Sequence, residues 1–101
     1  MVEVIWTKKA FSQLERAVKY IQEEQGTSYA EIVLSRILDA TESLQTTPDI
    51  GTIEPLLAHK KSTYRFLVVW SYKVIYRTTK SKAIISRVFH TSRNLDKLKG
   101  V

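Results

Sequence analysis

The stretch Tyr64 to Arg93, YRFLVVWSYKVIYRTTKSKAIISRVFHTSR, constrains this chain more than any other. It contains three runs dense in Val, Ile, Phe, Tyr and Trp: Tyr64–Trp70, Tyr72–Thr78 and Lys82–Phe89. Only Ser71 and Thr79–Ser81 divide them. β-Branched and aromatic side chains suit a pleated, half-buried surface, and breaks this short can only return the chain antiparallel. The expectation is a three-stranded antiparallel sheet with an unusual cargo. Arg65, Lys73, Arg77, Lys80, Lys82, Arg87 and Arg93 lie in or beside strands that otherwise read as core. A cation there is costly unless it reaches water or a partner, so the pattern predicts one sheet face that is open and basic.

The preceding residues supply something for the sheet to pack against. Val2–Trp6 alternates well enough for a short strand, and Thr7 can cap the helix after it. From Lys8 to about Gln25, apolar residues at Ala10, Phe11, Leu14, Ala17, Val18 and Ile21 form one helical stripe. Gly26 supplies the stop. Thr27 or Ser28 can cap a second helix, with Glu31 completing a capping box. Its stripe is Ala30, Val33, Leu34, Ile37, Leu38, Thr41 and Leu44. So short a break between helices implies an antiparallel hairpin. Thr47–Ser62 holds both prolines and reads as loop, ending in His59-Lys60-Lys61. Asn94–Val101 is read as little more than one helical turn, anchored by Leu95 and Leu98. The predicted fold is α+β, in the order β-α-α-β-β-β, with an antiparallel sheet on a helical hairpin in one domain spanning 1–101.

Composition narrows the function classes. A chain of 101 residues buries one modest core, and its hydrophobic share of 44% is ordinary. There is no Cys, and the two histidines, His59 and His90, are far apart in sequence, so neither a thiolate site nor a metal centre is expected. No cofactor is implied. No apolar run approaches the roughly 20 residues of a membrane span, and MVEVIWTKK lacks a signal-peptide layout, so a soluble, cytoplasmic protein without a membrane partner is expected. The net charge of +6 is unevenly spread: residues 1–56 carry five cations against nine acids, and residues 57–101 carry eleven against Asp96 alone. Such segregation attracts polyanions, whether nucleic acid or an acidic protein; the plain alternative is a basic solubilising surface.

Three segments carry a resemblance to known proteins. A strand ending in the aromatic Trp6 leads into Thr7-Lys8-Lys9-Ala10-Phe11, with Leu14 following. Tyr64-Arg65-Phe66-Leu67-Val68-Val69 precedes Tyr72-Lys73-Val74-Ile75-Tyr76-Arg77, and the close reads Arg87-Val88-Phe89-His90-Thr91-Ser92-Arg93-Asn94. In these, and over nearly its whole length, the sequence resembles the RelE/ParE superfamily, growth-inhibiting toxins of bacterial type II toxin–antitoxin modules, also called plasmid stabilisation proteins. The resemblance implies an acidic antitoxin as partner, in a toxin–antitoxin hetero-oligomer. It leaves two targets: RelE-like members cut messenger RNA on the ribosome, whereas ParE-like members inhibit DNA gyrase. His90-x-x-Arg93-Asn94 with Leu95 and Leu98 looks more like the ParE branch, which is slightly favoured. A non-enzymatic nucleic-acid binder and an inactive antitoxin-binding relic stay open as alternatives.

If the chain is a metal-independent RNase, it must activate a 2′-hydroxyl, stabilise a phosphorane and protonate a leaving oxygen. Fixed cations serve the second task, and His or a perturbed Lys serves the others. Arg65, Lys73, His90 and Arg93 are the candidate catalytic residues on this reading, and Lys60, Lys61, Arg77 and Arg87 the candidates for target or nucleic-acid contact. Plainer structural roles are open to the same residues. His90 can simply cap the last strand, Arg65 and Lys73 can pair with carboxylates such as Glu54, Arg87 can be structural, and Trp70 can fold back onto the helices.

Overall fold

The computed structural model of the chain describes residues 1–93, 98, 100 and 101. In chain order the elements are β1 (Glu3–Trp6), α1 (Lys8–Gln25), α2 (Thr27–Glu42), β2 (Thr52–Ile53), β3 (Tyr64–Val69), β4 (Tyr72–Thr78) and β5 (Lys82–His90), with 3-10 turns at Ser43–Gln45, Pro55–Leu57 and Thr91–Arg93. Thr7 caps α1 as expected, its hydroxyl accepting the Ala10 N–H at 3.1 Å. Gly26 takes φ +98° and ends α1. It also stands as the N-cap of α2, which has no side-chain cap, so the expected Thr27 or Ser28 cap does not form.

The α+β class holds, with two differences in the sheet. Among the described residues it has five strands, ordered β1-β5-β4-β3-β2, and it is mixed: β1 runs parallel to β5 while every other pairing is antiparallel. The hairpin carries the chain across one face to the far edge, where β2 begins. Three antiparallel returns then bring β5 back beside β1 in the same direction. Strand β2 escaped the sequence reading because two residues in a Pro- and Gly-bearing loop are too short to show alternation.

The helix-facing side of the sheet makes the main core. Val69, Tyr72, Val74, Tyr76, Ala83 and Ile85 meet Ala10, Leu14 and Ile21 of α1 and Ala30, Val33 and Ile37 of α2. Full burial of each larger aliphatic there is worth roughly 1.5–3 kcal/mol. Phe11 and Leu38, placed on the core stripes by periodicity, stay half exposed at the edge of each stripe. In β5, Ile75 faces Arg87 but Tyr76 faces Ile85, leaving Ser86 as the extra residue of a bulge. That bulge keeps Ile85 and Val88 both on the core side and turns Arg87 to the other.

The other face is where the expectation of an open, basic surface fails. Leu57, Ile75, Phe89 and Leu98 form a second cluster there, with Tyr64, Phe66 and Val101 packed on it. Lys73 and Arg87 lie beneath it, each only 8% exposed. Each has at least one partner, though among the described residues the buried Arg87 Nε has none. Lys73 Nζ is 2.6 Å from Oε1 of the buried Glu54 and 4.2 Å from the centre of the Phe66 ring, and Arg87 Nη1 donates to the Ser86 carbonyl at 2.8 Å.

Candidate functional site

Strand pairing decides which cations can act together. Residues opposite one another across a ladder share a face, so Lys73, Arg77 and Arg87 lie on the side away from the helices, whereas Arg65 (opposite Tyr76) and His90 (opposite Tyr72) lie on the helix side. Arg65 is already committed: Nη1 donates to the Gly51 carbonyl at 2.9 Å. Its position is four residues from that of His90 along the strands, about 13 Å at 3.3 Å per residue. Lys60 and Lys61 are exposed on the loop before β3. The four candidate catalytic residues therefore do not meet: Lys73 is on the opposite face, Arg65 is distant, and only His90 and Arg93 share a site. Asn94 and Leu95 of the C-terminal motif lie outside the described residues.

The site that His90 and Arg93 share is a groove of about 940 Å³. One wall is a single stripe of α1, Lys9, Ser12, Gln13, Arg16, Ala17 and Tyr20, continuing to Ile21 and Gln25. The other is built from Ser71, Tyr72, Val88, His90, Ser92 and Arg93, with Tyr29 of α2 at one end. Spacings of three and four place the α1 residues along one side of the helix. Gln13 ties the walls together, its Oε1 accepting the Val88 N–H across the groove floor at 2.8 Å. The Thr91 N–H donates to the Ser71 carbonyl at 2.9 Å and so fixes the end of β5 to the β3–β4 turn.

His90 is held by Ser92, whose N–H donates to Nδ1 at 3.2 Å and whose hydroxyl lies 2.9 Å from the same atom. With Nδ1 as acceptor, the neutral ring carries its proton on Nε2. The imidazole meets the Tyr72 ring edge-on, centroids 5.6 Å apart. Burial pushes the Tyr72 phenol above its ordinary pKa, and neighbouring Tyr20 and Tyr29 push it the same way. Three phenols are thus gathered at one end of the groove. Among its described lining residues there is no Asp or Glu. The arrangement offers cations, N–H and O–H donors and aromatic faces, which suits gripping an anionic ligand. Among the described residues no group of three or more metal-binding side chains occurs.

The sequence reading picked His90 and Arg93 but missed Lys9, Arg16, Tyr20 and Tyr29. A signal was available on α1: its groove stripe holds Lys9 and Arg16 and none of the helix's acids, Glu15, Glu23 or Glu24. Trp70 folds back onto the helices only in part. It is half exposed, and it leans on Tyr29 with ring centroids 5.2 Å apart.

Comparison with known proteins adds to this geometry. The model of a family described as ParE toxin of type II toxin–antitoxin system, parDE, matches residues 4–95. Among solved structures, a chain of a chromosomal ParDE toxin–antitoxin system from P. aeruginosa superposes with a TM-score of 0.73 at 21% identity, over 89% of this chain and 96% of that one. At that identity the likeness is one of fold. No curated protein matches the sequence.

Proposed function

This chain belongs to the family of ParE toxins of type II toxin–antitoxin systems, and from that premise we propose that it arrests growth by binding DNA gyrase rather than by cutting RNA. The observation that carries this reading is the scatter of the candidate catalytic groups. Phosphoryl transfer needs its acid, base and charge clamps within hydrogen-bond reach of one phosphate. Here Lys73 is spent on Glu54 and Arg65 on the Gly51 carbonyl, leaving His90 and Arg93 in a groove on the other side of the sheet from Lys73. A binding surface tolerates that distribution; a nuclease centre does not. The contact surface on this reading is the end of β5 with its following turn, through His90 and Arg93.

The partner that restrains it is an acidic antitoxin. The net charge of +6 supports electrostatic capture by such a protein, and the P. aeruginosa structure with this fold comes from a toxin–antitoxin system. Two measurements test the proposal. The chain is induced alone in bacteria while DNA and protein synthesis are followed separately, and purified chain is added to a gyrase supercoiling reaction. DNA synthesis is expected to stall first, with supercoiling inhibited and messages intact. Rapid loss of translation with cleaved messages would overturn the proposal in favour of a ribosome-dependent RNase. Inhibition of neither would remove the toxin's action on gyrase altogether.

A further inference from the structure

We infer that the groove between α1 and the end of β5 binds single-stranded nucleic acid. The inference goes beyond the gyrase proposal and does not rest on it.

Charge is the first observation. Lys9 and Arg16 face Arg93 and His90 across the groove, and no carboxylate stands among its described lining residues although α1 carries three. An anionic backbone is therefore complemented along the Lys9–Arg16 part of the groove, and the tyrosine end carries no opposing charge. The second observation separates nucleic acid from an acidic helix. The larger aliphatic side chains of the lining are inaccessible, Ile21 being 4% and Val88 2% exposed, whereas Tyr20 is 60% exposed. An amphipathic helix needs an aliphatic floor for its apolar face, and the groove offers only the small, half-buried Ala17. Ring faces and cations are offered, and that pairing grips single strands, bases stacking on the rings while the backbone follows the charge.

Backbone geometry adds a third observation. Trp70 occupies the first central position of a two-residue hairpin turn with φ +56°. Gly or Asn fits there without strain, whereas a bulky residue is an outlier. The strained Trp is half exposed and extends the aromatic ledge of Tyr29 instead of filling the core. Strain kept on an exposed ring points to a use for the ring. The α1 wall from Lys9 to Gln25 is about 24 Å long at 1.5 Å per residue, enough for the smaller single-strand footprints of about four nucleotides upward. Arg16 and Arg93 pair with phosphates, His90 donates from Nε2, and Tyr29 with Trp70 stacks bases.

The test is fluorescence anisotropy of a labelled twelve-residue oligothymidylate with the full-length chain. Competitors are a duplex of the same length and a polyglutamate peptide. Binding is expected to fall with salt with a log–log slope near −2, about three phosphates at roughly 0.7 each. The Arg16→Ala/Arg93→Ala pair should weaken it tenfold or more. Tyr29→Ala should weaken it about tenfold and Tyr29→Phe hardly at all, because the ring and not the hydroxyl stacks. These positions are exposed, and unchanged circular dichroism verifies the fold. Absence of binding, equal competition by the duplex, displacement by polyglutamate at matched charge, or indifference to Tyr29→Ala would each overturn the inference.

Discussion

The Tyr76 hydroxyl lies inside the fold and serves two backbone groups, accepting the Gly51 N–H at 2.9 Å and donating to the Pro48 carbonyl at 2.8 Å. Tyr76→Phe orphans both and should lower stability by about 1–3 kcal/mol in urea denaturation. Gly51→Ala should cost at least as much, since a Cβ there would sit 2.5 Å from the Tyr76 hydroxyl oxygen and 2.8 Å from the Phe66 carbonyl. Lys73→Met strands the buried Glu54 and should cost about 3–5 kcal/mol, most of it recovered in Lys73→Met/Glu54→Gln. Burial also raises the Tyr72 and Tyr76 phenols above 10. The unfolded chain then ionises these groups first, so their contribution to stability is whole below pH 10 and is lost as pH climbs through the raised values. In a tyrosinate absorbance titration, two of the five tyrosines should ionise late, together with alkaline unfolding. The roles of Tyr76 and Gly51 were not legible in sequence. That Lys73 or Arg65 could seek Glu54 was readable; that Lys73 would win depended on register, which places Arg65 on the other face.

Among elements, legibility followed length. Helix α1 and strand β4 fall where periodicity and composition put them, because the long stripe and the dense β-branched run each exclude other conformations. The two-residue β2 carries no period to read, and the Ser86 bulge reverses the facing of Arg87 without leaving a mark in the sequence. The expected open basic face failed for the same reason. Alternation shows that cations lie in strands, not what loop or terminal segment covers them. The groove lies on a neighbouring stripe of α1, visible in hindsight from the sorting of its charges. Two element-level outcomes follow. Thr7→Ala removes the α1 cap and should cost about 1 kcal/mol. Trp70→Gly relieves the turn but loses the Tyr29 contact, so two effects of roughly 1 kcal/mol oppose one another. The melting temperature should barely move in a thermal scan, as expected of a residue kept for something other than stability.

At the scale of the whole molecule, the segregated charge governs encounter more than affinity. Exposed charges are screened beyond about 10 Å at 0.1 M salt, so raising salt from 50 to 500 mM should slow association with an acidic antitoxin tenfold or more in stopped flow and leave dissociation nearly unchanged. The parallel pairing of β1 with β5 bears on time instead of energy. Thr7 meets Ile85 and Ser86, the latter across a separation of 79 residues. At the roughly 5–20 residues per second of synthesis, a ribosome takes several seconds or more to deliver the strand that β1 needs. Until then the growing chain holds an unclosed sheet edge and an uncovered helical hairpin. Each new molecule thus passes through a harmless infancy, and a partner already present in the cell can reach it before it has assembled anything to fear.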